Sequence, residues 1–155
     1  MVEIGQMAPA WELEDDNGEL LKLAALKGKS VVLYFYPKDD TSGCTAEAKD
    51  FTQHIAAFHK LGAEVIGVSP DSAASHTKFK SKHDLAIRLI ADEQKAAANA
   101  YGVWVEKSMY GKTYMGVERA TFLIDKAGKV AQIWRKVKVP GHVEEVLAAV
   151  KSLAG

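Results

Sequence analysis

The chain has 155 residues, which is enough for one globular domain with a sizeable core, and we expect residues 1–155 to form that single domain. Lysine and arginine number 20, as do aspartate and glutamate, and this balance argues against nucleic acid or an anionic membrane surface as the main partner. No apolar run approaches the roughly 20 residues that span a bilayer. No export signal is visible, and one cysteine cannot form an internal disulfide, so we expect a cytoplasmic protein.

The first half of the chain predicts a hairpin followed by a strand and a long helix. Residues 11–23 alternate around an Asn-Gly pair, the strongest short hairpin signal. The continuous apolar run Val31–Tyr36 predicts a central strand covered on both faces and ended by Pro37. Apolar residues at helical spacing then predict one helix, over 42–61, with a glycine as its stop.

The second half continues the alternation of strands and helices. Strands are predicted at 63–69 and 87–92, helices at 72–83, 93–102 and 142–155, and a hairpin of two strands at 120–125 and 130–137. This order predicts an α/β fold in which helices cover both faces of a mixed central sheet, with an N-terminal β-hairpin.

Two sequences that resemble nucleotide-binding loops fail the full motif. Gly28–Ser30 and Gly111–Thr113 each end like a P-loop. That motif also needs an upstream glycine, and Leu23 and Glu106 occupy those positions. A phosphate-binding loop is therefore not predicted.

The histidines and acidic clusters do not predict a metal site. No pair of the five histidines has the spacing of a helical metal site, and we expect these side chains at the surface or half-buried. Asp39 and Asp40 are interpreted as loop residues exposed to water, and the cluster at 15–18 as turn residues.

The only cysteine, Cys44, falls in the first turn of the predicted helix that follows the central strand. Unpaired backbone N–H groups and the helix dipole favour an anion there, and the thiolate is the reactive form of cysteine. Gly43 allows close approach of the backbone, and Thr41 places a hydroxyl one turn back. From these residues alone, a reactive and a structural cysteine are equally well supported.

The spacing around Cys44 resembles that of a known family. Pro37-x-x-x-Thr41-x-x-Cys44 is similar to the peroxidatic-cysteine signature of the peroxiredoxins. The longer block VVLYFYPKDDTSGCTAEAKDF resembles the bacterioferritin comigratory protein, or peroxiredoxin Q, subfamily. The similarity continues through GAEVIGVSPDS and YGKTYMGVERATFLIDKAGKV, so it covers almost the whole chain.

The resemblance implies a thioredoxin-like fold and a peroxidase that reduces hydrogen peroxide and small organic hydroperoxides. Cys44 matches the nucleophile, which becomes a sulfenic acid. Thr41 matches a hydroxyl that hydrogen-bonds thiolate and peroxide, while a helix cap is its alternative role. Pro37 matches a proline that shields the sulfur from water, and its alternative role is to end the strand.

The resemblance also implies the remaining groups of the site. Arg119 matches an arginine that reaches the cysteine from a neighbouring strand and stabilises negative charge. Backbone N–H groups of Gly43 and Cys44 complete the implied anion site. Glu47 matches a nearby acid, although a first-turn glutamate favoured by the helix dipole explains it almost as well. Neither a metal nor an organic cofactor is implied.

The chain departs from the subfamily at two positions. Ser42 stands where proline is usual, and Lys49 stands where many members have a resolving cysteine. The resemblance then implies a one-cysteine peroxidase whose sulfenic acid is reduced by an outside thiol: thioredoxin, glutaredoxin or glutathione. Similar members are monomers or weak homodimers.

Two other functions compete with a peroxidase. A thioredoxin-type oxidoreductase needs a second cysteine three positions on, where Glu47 stands, so the sequence argues against it. A non-enzymatic peroxide sensor or redox-regulated chaperone shares the first step at Cys44. Only turnover separates such a protein from an enzyme.

Overall fold

The computed structural model describes residues 2–154, which build a seven-stranded sheet, a separate two-stranded sheet and five α-helices. The strands are β1 (Glu12–Asp15), β2 (Leu20–Lys22), β3 (Ser30–Phe35), β4 (Ala63–Ser69), β5 (Arg88–Ala91), β6 (Trp104–Met109), β7 (Lys112–Val117), β8 (Ala120–Ile124) and β9 (Val130–Trp134). The helices are α1 (Ser42–Gln53), α2 (Ile55–Lys60), α3 (Ala73–His83), α4 (Ala96–Ala100) and α5 (His142–Ala154), and a 3₁₀ turn covers Leu23–Leu26. None of the helices within residues 2–154 combines the length and apolarity needed to cross a membrane.

The main sheet is mixed, as the sequence predicts. Its strand order is β2-β1-β5-β4-β3-β8-β9, in which β3, β4 and β5 run parallel and the other pairs are antiparallel. Every residue of β3 is buried, as expected of a central strand. One apolar core lies between the sheet and α1, α2, α3 and α5, and a second packs on the opposite face with α4 and the 3₁₀ turn. The thioredoxin-like arrangement is confirmed.

The predicted N-terminal hairpin is confirmed, but its aspartates do more than shape the turn. Asp15 Oδ1 accepts two backbone N–H groups of the turn, at 2.9 and 3.0 Å. Asp16 Oδ1 accepts the backbone N–H of Leu89 at 3.0 Å, and its Oδ2 accepts Lys80 Nζ at 3.1 Å. Asp16 therefore ties the hairpin to β5 and to α3.

The single helix predicted over 42–61 is wrong, because it is interrupted at His54. The ring Nδ1–H of His54 donates to the carbonyl of Asp50 at 2.9 Å. The backbone N–H of His54 bonds the carbonyl of Phe51, only three residues back, at 3.1 Å. This tightened turn ends α1, and α2 continues the chain in a separate helix.

The hairpin of β6 and β7 has no counterpart in the sequence prediction. Its two strands pair along six residue pairs, and Tyr110 and Gly111 form the turn with φ of 53° and 77°. Two successive left-handed residues are typical of the tight turn that joins paired strands. Met109, Tyr114 and Met115 are exposed on this hairpin. Because β7 ends just before the start of β8, the hairpin places its base beside Arg119.

Candidate active site

Helix α1 presents Cys44 and Glu47 on one buried face. The buried residues of this helix are Cys44, Glu47, Ala48 and Phe51, which follow the spacing of a single helical face. The cysteine is 2% exposed and the glutamate is fully buried. The apolar periodicity that attaches α1 to the sheet thus also carries a thiol and a carboxyl into the interior.

The first turn of α1 supplies backbone donors. Thr41 precedes the helix in an extended conformation, and its carbonyl accepts the first helical bond, from the N–H of Thr45, at 2.8 Å. The N–H groups of Ser42, Gly43 and Cys44 come before that bond and have no helical acceptor. They lie at the positive end of the helix dipole, which favours an anion at this position.

Arg119 joins the thiol and the carboxyl. It lies between β7 and β8, and its Nη2–H donates to Cys44 Sγ at 3.3 Å. Its Nη1–H donates to Glu47 Oε1 at 2.6 Å. The guanidinium is planar and rigid, so its two N–H donors keep a fixed angle to each other. One side chain therefore holds a donor on the thiol and another on the carboxyl at the same time.

Gly43 leaves room for that guanidinium. A Cβ at this position would lie 3.2 Å from Arg119 Nη2, tighter than an ordinary contact. Any side chain there would push the guanidinium away from the sulfur. The close backbone approach expected at Gly43 is therefore an approach to Arg119.

Burial and charge shift the pKa values of both partners of this ion pair. Burial alone would lower the pKa of Arg119, but the charges of Glu47 and Cys44 raise it above its usual value. Burial raises the pKa of Glu47 to about 7, against the opposing effect of Arg119. The second oxygen, Glu47 Oε2, has no hydrogen-bond partner among the residues that the structure describes. A carboxyl held this way retains its proton up to nearly neutral pH.

Thr41 and Pro37 lie in the loop before α1. The Thr41 hydroxyl donates to the carbonyl of Lys38 at 2.9 Å, and within residues 2–154 it makes no capping bond to the helix. Pro37 is half-buried and follows Tyr36, whose N–H makes the last bond to β4, at 3.0 Å to Val68. The geometry fits the strand-ending role of this proline. The roles of both residues toward sulfur and peroxide stay predictions.

The expectation that Asp39 is exposed to water is wrong. Its side chain is buried and accepts Tyr36 Oη at 2.6 Å and Ser75 Oγ at 2.8 Å. His76 Nδ1 lies 2.7 Å from its second oxygen. Helix α3 packs over the loop and removes this carboxyl from solvent, which a local pattern of charged residues does not reveal.

The expectation that the histidines lie at the surface or half-buried is also wrong for two of them. His76 is fully buried, and its Nε2–H donates to the carbonyl of Ile90 at 2.9 Å. His142 is buried as well, with Nε2 at 2.8 Å from Thr121 Oγ1. His76 has a partner for each ring nitrogen and His142 has one for Nε2, so both imidazoles serve as internal polar links.

Asp40 is exposed, as expected, but it is also paired. Its two oxygens meet Lys82 Nζ at 2.6 Å and His83 Nε2 at 2.7 Å. Hydrogen bonds from these two groups hold the pKa of Asp40 below its usual value. Asp40 adopts a left-handed φ of 61°, which turns the loop toward α3. Residues 37–41 are thus tied to the beginning of α3 by Asp39 and to its end by Asp40.

Tyr34 is a further group near the site that the sequence does not single out. Its ring stacks on Phe51 with centroids 4.6 Å apart, and its hydroxyl has no hydrogen-bond partner in the described chain. Burial, then the charges of Glu47 and Cys44, raise the pKa of Tyr34. In an unbroken apolar strand this tyrosine looks like any core residue, and the same holds for His76 in its helix.

Two other sequence expectations concern the surroundings of the thiol. Lys49, at the position of the missing resolving cysteine, is exposed on α1, whereas Cys44 is buried. Between Val2 and Ala154, no three histidine, cysteine or acidic side chains come together in a way that would hold a metal ion.

Known proteins are similar to this chain over almost its whole length. Residues 4–133 match the AhpC/TSA family. The peroxiredoxin Bcp of Bacillus subtilis is 53% identical over 153 residues, which cover 99% of this chain and 98% of the relative. The peroxiredoxin Bcp of Escherichia coli is 37% identical over 153 residues, with the same coverage of both chains.

Solved structures of related proteins have the same fold as this chain. The bacterioferritin comigratory protein of Xanthomonas campestris, studied for its alkyl peroxide reduction activity, superposes with a TM-score of 0.92 at 43% identity, covering 99% of this chain and 100% of that one. A cysteine-to-serine variant of PrxQ from Xylella fastidiosa gives a TM-score of 0.95 at 36% identity, covering 100% of this chain and 99% of that one. The chain therefore belongs to the AhpC/TSA family and is a peroxiredoxin of the Bcp, or peroxiredoxin Q, group.

Proposed function

We propose that this peroxiredoxin reduces hydrogen peroxide and small organic hydroperoxides at Cys44 through a sulfenic acid, with an outside thiol completing the cycle. The observation that carries the proposal is the contact of 3.3 Å between Arg119 Nη2 and Cys44 Sγ, which Arg119 makes from the short connection between β7 and β8. A half-buried cation fixed beside a thiol at a helix start favours the thiolate, which is the form that attacks peroxides. The alkyl peroxide reduction named for the Xanthomonas campestris relative supports the substrate class.

The first half-reaction transfers one oxygen to sulfur. The thiolate of Cys44 attacks one peroxide oxygen, an S–O bond forms, and the O–O bond breaks. Sulfur is oxidised by two electrons to a sulfenic acid. The other oxygen leaves with the electron pair, takes up a proton, and departs as water or, from an organic hydroperoxide, as an alcohol.

The surrounding groups stabilise charge that moves from sulfur to the leaving oxygen. Arg119 and the free N–H groups of Gly43 and Cys44 are donors already in place, so they need no reorganisation during the step. Thr41 and Pro37, in the loop held against α3, are assigned to orienting the peroxide and to excluding water. Glu47 holds the second arm of Arg119 and so fixes the first arm on the sulfur.

The second half-reaction requires a thiol from outside. The sequence contains no second cysteine, and Lys49 occupies the place of a resolving one. We infer that a protein or small-molecule thiol, of the thioredoxin, glutaredoxin or glutathione kind, reduces the sulfenic acid and restores Cys44.

Turnover with a matched active-site variant tests this function. The natural chain should consume many equivalents of hydrogen peroxide when dithiothreitol is present, and Cys44→Ser should consume none above background. Retained activity in Cys44→Ser would refute the assignment. Consumption of a single equivalent by the natural chain, despite excess thiol, would instead identify a peroxide sensor or redox-regulated chaperone.

A further inference from the structure

Lys107, on the hairpin whose base adjoins Arg119, is a second cation that has no ion-pair partner in the described chain. It lies on β6, directly across from Tyr114 on β7. In the described part of the chain, no carboxylate comes within 4.0 Å of its ammonium group. The residue is only partly exposed, so this unpaired charge is not a freely solvated one.

The stem of Lys107 leans toward Arg119. Its cross-strand partner is Tyr114, but a Cβ built on Gly116 would lie 3.2 Å from Lys107 Cδ and 3.5 Å from its Cε. The side chain therefore crosses β7 two residues nearer to Arg119 than its own register position. Gly116 makes this path possible, since any side chain there would occupy it.

The charged groups that affect Lys107 are those around Arg119. Burial lowers the pKa of Lys107, the charge of Arg119 lowers it further, and Cys44 and Glu118 act in the opposite sense. Glu118 is engaged by Arg135 at 2.9 Å, and Glu47 is engaged by Arg119. The nearby acids Glu118 and Glu47 are thus already paired with arginines, and the stem of Lys107 runs over Gly116 toward the Arg119 end of the hairpin.

Oxidation of Cys44 changes this balance. In the proposed reaction the sulfur attacks peroxide as a thiolate, an anion beside the cations of Arg119 and Lys107. A sulfenic acid is neutral, so the oxidised site is one charge more positive at the moment when a reductant must enter. A partly buried cation with no counter-ion attracts anions more strongly than an exposed one does, because water screens it less.

We propose that Lys107 makes the oxidised site selective for thiols that carry a carboxylate. This inference rests on the proposed function, because it concerns the second half-reaction at the same sulfur. The carboxylate pairs with the free ammonium and holds the thiol sulfur at Cys44. Glutathione and mercaptocarboxylic acids belong to this chemical class, whereas neutral and cationic thiols gain nothing from Lys107.

Two molecules of a thiol that carries a carboxylate reduce the sulfenic acid of Cys44. The thiolate of the incoming molecule attacks the Cys44 sulfur, an S–S bond forms, and the S–O bond breaks. The oxygen leaves as hydroxide, takes up a proton, and departs as water. A second thiolate of the same kind attacks the mixed disulfide, which frees the Cys44 thiolate and a small-molecule disulfide.

Thiols of similar size and different charge test the proposal. The natural chain is oxidised with one equivalent of hydrogen peroxide, and gain of one oxygen at Cys44 is verified by mass spectrometry. The oxidised chain is then mixed with 3-mercaptopropionate, 2-mercaptoethanol or cysteamine, and second-order rate constants are expressed per thiolate. We expect the anionic thiol to react about tenfold faster than the neutral one at low salt, with the advantage falling as salt is added.

Variants on the same hairpin separate Lys107 from general charge effects. Lys107→Gln should remove most of the anionic advantage, Lys107→Arg should keep it, and Lys107→Glu should shift the preference to cysteamine. Lys112→Gln, at the exposed far end of β7, removes an equal charge and should keep the natural preference. Urea unfolding midpoints of Lys107→Gln and Lys112→Gln that match that of the natural chain show that both variants are folded.

The outcomes distinguish the two proposals. An anionic advantage that is absent from the natural chain, that survives in Lys107→Gln, or that is lost equally in Lys112→Gln overturns the role of Lys107 and leaves the peroxidase intact. A natural chain that takes up no oxygen at Cys44 overturns the peroxidase and, with it, this inference.

Discussion

At the scale of single residues, the Arg119 guanidinium divides its donors between a thiol and a carboxyl. The two contacts, at 3.3 Å to Cys44 Sγ and 2.6 Å to Glu47 Oε1, fix the plane of the group. A charge oriented in advance stabilises the transition state without the cost of turning dipoles during the reaction.

Removing this cation should slow the oxidation of Cys44 without removing the nucleophile. Arg119→Ala is expected to lower the second-order rate constant with hydrogen peroxide by about 100-fold, the effect typical of a lost oriented donor. Stopped-flow oxidation measures it. Arg135→Ala, which also removes an ion-paired arginine, should stay within about twofold of the natural chain. Equal rates for Arg119→Ala and the natural chain would contradict the assigned role.

The buried Glu47 carboxyl should make the free energy of unfolding depend on pH. Burial raises its pKa from an ordinary 4.5 to about 7, so the folded chain binds this proton more tightly than the unfolded chain does. The resulting stabilisation is complete below pH 4.5 and is lost as pH rises through 7. Its slope is at most about 1.4 kcal/mol per pH unit.

Urea unfolding between these pH values checks the sign. Glu47→Gln should remove this fall in stability, and the control Glu144→Gln, an exposed glutamate of α5, should keep it. Identical slopes in the natural chain and Glu47→Gln would show that Glu47 does not hold a proton in the folded state.

At the scale of elements, helix α3 holds the loop 37–41 by two aspartates in opposite environments. Asp39 is buried among Tyr36, Ser75 and His76, whereas Asp40 meets its partners at the surface. A buried polar group that loses a hydrogen-bond partner stays unsatisfied, while a surface ion pair is screened by water. The same loop thus allows a direct comparison of the two cases.

His76→Ala should destabilise the chain by about 2–3 kcal/mol, because it removes the imidazole that hydrogen-bonds the buried Asp39 carboxyl and leaves that oxygen with one partner fewer. Asp40→Asn should cost less than about 1 kcal/mol, since asparagine tolerates the left-handed backbone at this position. Urea denaturation measures both. Similar losses in the two variants would mean that the loop is not anchored through Asp39.

The elements that the sequence predicts are those with a one-sided or continuous apolar pattern, such as β3 and α5. The hairpin of β6 and β7 was not predicted, because most of its residues are exposed. Neither face of the hairpin is buried enough to require alternating apolar and polar residues. Gly111, between two segments that contain β-branched and aromatic residues, is the turn signal that would have indicated this hairpin. The break at His54 depends on one side-chain bond to a carbonyl, which no periodicity records.

The site was predictable to a different degree. Pro37, Thr41 and Cys44 lie within one loop and helix start, so a short motif was enough to carry the family resemblance that assigned their roles. Arg119 is 75 residues from Cys44, and only the family resemblance pointed to it. The burial of Asp39 depends on His76, 37 residues away, and was missed because neither residue carries a signal of that contact.

At the scale of the whole molecule, the seven-stranded sheet and the hairpin of β6 and β7 differ in how they are stabilised. The central strand β3 is buried throughout and paired on both sides, whereas in the described chain β6 and β7 pair only with each other. An isolated two-stranded sheet is marginally stable without a covering layer.

Hydrogen exchange should therefore show two regimes. Amides of β6 and β7 are expected to exchange at least about tenfold faster than those of β3 and β8, through local opening that leaves the main sheet intact. Mass spectrometry of peptic fragments resolves the two regions. Equal protection of hairpin and main sheet would show that the hairpin opens only when the whole molecule unfolds.

The distance between Cys44 and position 49 along α1 determines how the oxidised sulfur can be reduced. Five residues along an α-helix rise about 7.5 Å, beyond the usual Cα span of a disulfide, so a cysteine at position 49 would require α1 to unwind. Because position 49 is a lysine, no disulfide forms within α1 and the helix does not have to unwind. In the proposed cycle, every turnover instead passes through a covalent adduct between two molecules. Quenching the reaction should therefore trap the reducing thiol as a mixed disulfide on Cys44. The mass added to Cys44 then identifies that thiol.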